Sequence, residues 1–451
     1  MNEMELLGRL RDEVPGEVLP VAAESALFTA IGEERSGAVP RSRRPRQRGP
    51  RLAGYGRPGR RWPGWVAPLA AAAAVTAVIV GTPAILSAIH APTARPRAAG
   101  AAAPVIVWVA VQHPPTDEVV PIRTATRTVL PPVKTGHGLV AFAITPDGKT
   151  IYAASKLASS VTPIRTATRT VLPPIRTCCY PAAIAITPDG KTVYTAEQST
   201  RGKAGHTVIP IRTADNTALP PIQVGRVPAA IAITPNGATA YVANTHSGTV
   251  TPIRTATGMP LPAIRVGLDP QAIVITPDGA TAYVTTLSGP HSGWVRPIRT
   301  ASNTALAPIM TGQVPTAIAI TPDGSTAYVA NSGSGTVTPI RTATNTALRP
   351  IKTGKTPGAI AITPDGKTVY VTNVGSGTVT PIRTATNTAL RPIKIHGQPA
   401  AIAISPDGKS AYVAIDGNIR SGWVTPIRTA CNTALRPIKL DGLPFAILIA
   451  R

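Results

Sequence analysis

Residues 335–352 read GTVTPIRTATNTALRPIK, and residues 377–394 read the same eighteen letters. The copies start 42 positions apart, and looser versions of the same text run through most of the chain. The turn tetrapeptide around them, TPDG in most copies, places its third residue at Asp147, Asp189, Asn236, Asp278, Asp323, Asp365 and Asp407. The tripeptide PIR ends at Arg123, Arg165, Arg212, Arg254, Arg299, Arg341, Arg383 and Arg428, at matching intervals of 42 to 47. A period near 42 residues is that of a four-stranded propeller blade.

One unit shows why. In TAIAI, Ile318 and Ile320 alternate with Ala317 and Ala319, so a strand here has a bulky face and a small face. TPDG makes a tight turn, with Pro favoured at its second position and Gly at its fourth. TAYVAN, TVTPIR and TALRPIK then read as the second, third and outer strands, with TATN as the last turn. Proline in the last two strands suits lightly paired outer positions.

The copies do not begin and end in phase. VIVWVAV (Val105–Val111) is a second strand with no first strand before it, and PFAILIA (Pro444–Ala450) is a first strand with no second strand after it. The two complete one blade, which closes the ring and removes its open sheet edges. The fold expected is all-β, a propeller of eight four-stranded blades over residues 105–451, seven continuous and one composite.

AITPDGSTAYVANSGSGTVTPIRTATNT and AITPDGKTVYVTNVGSGTVTPIRTATNT resemble the YVTN-type β-propeller repeat family, and the likeness covers about residues 105–451. The resemblance implies a propeller, usually with seven blades, so seven is the alternative to the count of eight. It also implies a mostly extracytoplasmic setting; similar propellers include lactonases, surface-layer proteins and DNA-binding proteins. One departure is systematic. Where the family pattern has VID, this chain has PIR in all eight units. Residues 104–451 hold 31 Lys and Arg against 13 Asp and Glu, and eight Asp in place of the eight Arg would bring their net charge from +18 to +2. The basic balance is therefore spread around a ring, not gathered in a groove that would mark nucleic acid, and no nucleic acid is expected as partner.

The first hundred residues differ. Residues 1–34 carry eight acidic side chains, and EMELLGRLRDEV has a helical apolar rhythm. Nine arginines and no acid lie between Arg41 and Arg61, the composition of a disordered linker. Trp65–Ile89 is uncharged for 25 residues, enough at about 1.5 Å per residue to cross a bilayer core of roughly 30 Å. The alternative is a cleaved signal peptide, whose basic region would be unusually long and whose small-residue cleavage motif is missing. Six arginines precede the run closely and two follow it, which orients the N-terminus to the cytoplasm. The expected organisation is a cytoplasmic acidic helix and basic linker over 1–62, a transmembrane helix over 63–91, a tether over 92–104 and the propeller outside the cell membrane.

The chemistry is sparse. Cys178, Cys179 and Cys431 are too few for a disulfide framework and read as structural or incidental. Six histidines fall in the connections at one rim of the disc, none at a metal-binding spacing. Three units are longer than 42 residues, with the excess in the loop between the second and third strands, at Glu197–Thr207, Thr286–Trp294 and Ile415–Trp423. Loops that break a repeat's symmetry tend to carry specificity. His206, His246, His291, Trp294 and Trp423 are the candidate ligand-binding residues, against the alternative that each Trp only starts a strand and covers the gap between blades. The eight PIR arginines are candidate membrane-surface residues. No metal, cofactor or catalytic constellation is expected. The functional expectation is a membrane-anchored, extracytoplasmic, non-catalytic scaffold for a protein or a cell-envelope glycan, with a lactonase-like hydrolase as the alternative.

Overall fold

The computed structural model describes residues 105–113, 116–200, 203–287, 292–418 and 421–450. The acidic segment, basic linker, apolar run and tether expected over 1–104 lie outside them. Among the described residues no helix is long and apolar enough to cross a membrane.

In the unit around Asp323, strand a is Pro315–Ile320, strand b Thr326–Asn331 and strand c Thr336–Arg341. The three run antiparallel with side chains in register, Tyr328 opposite both Ala319 and Pro339. The outer strand departs from the sequence reading. TALRPIK forms two short pieces, Thr346–Ala347 and Ile351–Lys352, and both pair with strand c. Pro350 has no N–H to continue the ladder, and the residue before a proline is itself restricted. The proline of strand c is accommodated differently. The Pro339 carbonyl accepts the Leu348 N–H at 2.8 Å, so its missing donor faces the broken outer strand and costs the inner ladder nothing.

The same sheet recurs eight times. In the composite blade, Leu443–Ala450 is strand a and Ile106–Gln112 is strand b, paired through Val107–Ile449, Trp108–Leu448 and Val109–Ile447. The expected count of eight and the expected closure both hold. Blades nest by size. Ala317, Ala319 and Ala330 of one blade pack in a cluster with Ile360, Val369, Val371 and Ile382 of the next, and Ala183, Ala185 and Ala196 pack with Ile231, Val242 and Ile253.

Two repeated hydrogen-bond devices hold the units. In the turns after strand a, the Asp323 carboxylate accepts the Thr321 hydroxyl and the Ser325 N–H at 3.0 Å. Asn236 does the same with Thr234 and Ala238, so the turn needs an acceptor and not a charge. Between blades, the buried Tyr of strand b donates to an Asn in the strand c to strand d turn of the following blade. Tyr152 reaches Asn216, Tyr241 Asn303, Tyr283 Asn345, Tyr328 Asn387 and Tyr370 Asn432, at 2.6–2.7 Å. Each of these Asn residues has φ between 51° and 58°, a left-handed conformation that Asn tolerates better than most side chains.

The staple is absent at three joints: after the third blade, where Gly258 holds the Asn position and Tyr194 donates to the Thr255 carbonyl at 3.4 Å, and on both sides of the composite blade. Beside the composite blade the Asn position holds Arg127 (φ 55°) and Arg169 (φ 58°). Trp108 stands where the other blades have Tyr, and its Nε1 is buried without a partner among the described residues. Arg169 offers only donors, so it cannot accept that proton. A cavity of about 810 Å³ opens beside Arg127 at the neighbouring joint.

Candidate functional site

The repeat fixes two faces. Each PIR arginine stands opposite the residue that starts strand b, as in Arg165–Thr150, Arg254–Thr239 and Arg383–Thr368. All eight arginines therefore share one face with the turns after strand a, and all eight are exposed. The opposite face carries the connections from strand b to c and from strand d to the next strand a. The two kinds of candidate residue lie on opposite faces.

The three long loops are mostly not loops. In the third blade the ladder continues beyond the common repeat, through Gln198–His206 to Thr200–Lys203. In the eighth blade it runs through Asp416–Gly422 to Asn418–Ser421. In the fifth blade it adds one pair, Leu287–Gly293, above Thr286–Trp294. His206, Trp294 and Trp423 consequently sit on strands at the base or flank of raised hairpins. This corrects the reading that placed them in loops: the extra residues keep period-2 pairing instead of looping out.

The candidates are not gathered into one site. His206 is half-buried, and its Nδ1 lacks a partner among the described residues. His246 is exposed in a single helical turn, Thr245–Ser247, closed by Gly248 at φ 61°. His291 lies outside the described residues. Trp294 is half-buried, with its Nε1 likewise unpartnered. Trp423 is half-buried and packs against the core around the composite blade, with its ring over Gly417. Trp294 is the second residue of its strand c, Gly293–Arg299, and Trp423 the third of Ser421–Arg428, and each keeps part of its surface in solvent. His206, His246 and Trp294 occupy three consecutive blades, and no hydrogen bond joins any two of them among the described residues.

A site-like feature missing from the sequence reading is Glu197. It occupies the position of the Asn in YVxN, where Asn331 donates to Thr336 and Thr338 at 3.2 and 2.9 Å. Glu197 is fully buried and accepts the Thr195 hydroxyl at 2.8 Å. Burial pushes its carboxyl up to about 7, against hydrogen bonds from the Thr195 and Thr177 hydroxyls and the Cys179 amide. The alignment of TVYTAEQ on TAYVAN carried the signal, since it sets an ionisable group on a buried position. On the same raised hairpins, Asp416 is half-buried and desolvation raises its pKa.

The innermost strands hold little that could ligate a metal or transfer a proton. Apart from Tyr180, Thr316 and Gln398, their residues are apolar or Gly. Among the described residues no three His, Cys, Asp or Glu side chains converge as metal ligands.

Residues 294–420 match the family model described as YNCE-like beta-propeller. The repeats are of the YVTN propeller type. Among solved structures, the chain is similar to Kuenenia stuttgartiensis hydrazine synthase, at 23% identity over 65% of this chain and 96% of that one, with a TM-score of 0.52. It is similar to the dihydro-heme d1 dehydrogenase NirN in complex with DHE, at 16% identity over 76% of this chain and 74% of that one, with a TM-score of 0.63. It is also similar to a functionally unknown protein from Desulfotomaculum acetoxidans DSM 771, at 18% identity over 77% and 99%, with a TM-score of 0.54. These likenesses concern the fold alone. No curated protein matches the chain.

Proposed function

We propose that this chain, a propeller of YVTN-type repeats, is a membrane-anchored extracytoplasmic scaffold that binds another envelope component, a protein or a glycan, on the face bearing the raised hairpins. The observation that carries the reading is where the repeat's symmetry breaks. All eight blades share the text PIRTA at the end of strand c, and the hairpins of the third, fifth and eighth blades extend beyond the common repeat. The extension of the third blade carries His206, and Trp294 and Trp423 stand at the base of the other two. Partly exposed aromatic rings beside polar groups are what recognition of a partner or a sugar ring uses. The non-catalytic reading rests on the apolar composition of the innermost strands, where a lactonase-like hydrolase would draw its ligands. The anchor rests on the uncharged run at Trp65–Ile89 and the arginine asymmetry around it.

The test uses the propeller, residues 104–451, titrated with soluble cell-wall glycan fragments while tryptophan emission is followed. Of its three tryptophans, Trp108 is buried, so a change reports Trp294 and Trp423. Binding that weakens in Trp294→Ala and Trp423→Ala supports the reading. Binding that both variants retain at full affinity contradicts it.

A further inference from the structure

We propose that the arginine face of the disc docks flat on an anionic lipid surface. The arginines occupy the same register position in all eight blades, next to the turn after strand a. Three of the six turn carboxylates on that face are already paired. The Oδ1 atoms of Asp147, Asp189 and Asp365 are held in their turns. Their Oδ2 atoms face Lys149, Lys191 and Lys367 at 3.3, 3.8 and 3.9 Å. Of the eight arginines, Arg212 has an ion pair, with Asp215 at 3.0 Å; no other does among the described residues. The face therefore keeps its positive charge.

Geometry selects the partner. Eight cations on a ring at one level can all meet a plane at once. A rod-like polyanion crosses the ring along a chord and reaches only a few of them. The chain also enters the disc on this face: the Val105 carbonyl accepts the Thr124 N–H at 3.2 Å, and Ile106 stands opposite Arg123. Thirteen residues, 92–104, separate that point from the transmembrane helix expected over 63–91, a reach of at most about 45 Å. The face is not smooth. The cavity of about 810 Å³ beside Arg127 is bordered by Lys409 and Arg428, with Asp365 and Asp407 as its acids, and it has room for a phosphate headgroup. The proposal rests on the anchored reading only for which leaflet is met.

The test is co-sedimentation of the propeller, residues 104–451, with vesicles. This part closes its own ring and holds the eight-blade core within itself. Phosphatidylcholine vesicles are compared with vesicles that also contain phosphatidylserine, at low and high salt. One variant changes Arg123, Arg341, Arg383 and Arg428 to Gln. A matched variant removes four exposed cations of the opposite face, Arg176, Arg226, Arg265 and Lys355. Thermal unfolding confirms that both fold. The expected result is binding to the anionic vesicles alone, weakened by salt, and reduced on the order of 100-fold or more by the first variant with little change in the second. Equal binding to both vesicle types, or equal loss in both variants, overturns the proposal. So does vesicle binding unaffected by the first variant while binding to a duplex oligonucleotide is lost, which would assign the face to a polyanion. Failure of the anchor has a different signature: release of the full chain from membranes by alkaline carbonate, which leaves vesicle binding by the propeller untouched.

Discussion

Replacing Asn387 with Ala removes one inter-blade staple and little else. Asn387 accepts the Tyr328 hydroxyl at 2.7 Å from a backbone at φ 51°. Losing a neutral hydrogen bond costs about 1 kcal/mol, and holding Ala left-handed adds roughly 1–2 kcal/mol, so the expected loss is about 2–3 kcal/mol. The reverse change is available at the ring's seam. Arg127→Asn should relieve the left-handed strain and offer an acceptor to Tyr412, a gain of about 1 kcal/mol, since Tyr412 is already served by the Ser410 and Thr124 hydroxyls. Unfolding entropy near 2.1 cal/mol/K per residue over some 350 residues translates 1 kcal/mol into only about 1.4 °C. Denaturant titration of the propeller, with its large slope, is therefore the better assay. Tyr328→Phe alone, and combined with Asn387→Ala, closes a double-mutant cycle whose coupling should be near 1 kcal/mol. No loss in Asn387→Ala, or no coupling in the cycle, would refute the staple as the joint between blades.

Glu197 should make the propeller lose stability as pH rises. Its folded pKa of about 7 lies above the ordinary 4.5 of a glutamate, so its contribution is full below about 4.5 and is lost as pH climbs through 7. Glu197→Gln should match the parent near pH 4.5 and exceed it by about 3 kcal/mol near pH 8; a difference independent of pH would contradict this. The turn carboxylates act with the opposite sign. The pKa of Asp278 is lowered by the Thr276 hydroxyl and then by the Ala280 N–H, so its stabilisation is present above the usual carboxylate range and lost as pH falls below it. Because Asn236 fills the same role, Asp323→Asn should cost little and Asp323→Ala about 1–2 kcal/mol, as measured by chemical unfolding. Deleting Leu443–Arg451 removes strand a of the composite blade, including buried Phe445, Ile447 and Leu448, each worth roughly 1.5–3 kcal/mol. A truncated propeller that melts unchanged and stays monodisperse in light scattering would show that the ring does not depend on this strand.

The fold was legible because its signals repeat. Alternating Ala and Ile declared strand a and the nesting of blades, and the out-of-phase ends declared the closure. Periodicity alone makes the outer strand continuous, because it does not register what Pro350 removes. The staple is not legible in the sequence because its two halves, Tyr328 and Asn387, lie 59 residues apart and belong to different blades. At the candidate site, counting residues located the three extensions but not their conformation, since the added residues were as compatible with loops as with a longer ladder. Glu197 is inconspicuous in the sequence because a carboxylate near a loop reads as solvated. Its burial follows only from aligning it on Asn331.

Two native thiols allow the two-faced disc to be tested in place. Cys431 is exposed in the turn after Arg428, on the arginine face, and Cys178 is exposed on the opposite face before Tyr180. A six-residue strand at about 3.3 Å per residue separates the faces by roughly 20 Å. In the full chain held in anionic bilayers, a donor fluorophore on one thiol at a time, with the other cysteines changed to Ser, reports its distance to acceptor-labelled headgroups. The account predicts strong transfer from Cys431 and weak transfer from Cys178, with the difference shrinking when the eight arginines become Gln. Equal transfer from both positions, or stronger transfer from Cys178, would contradict it.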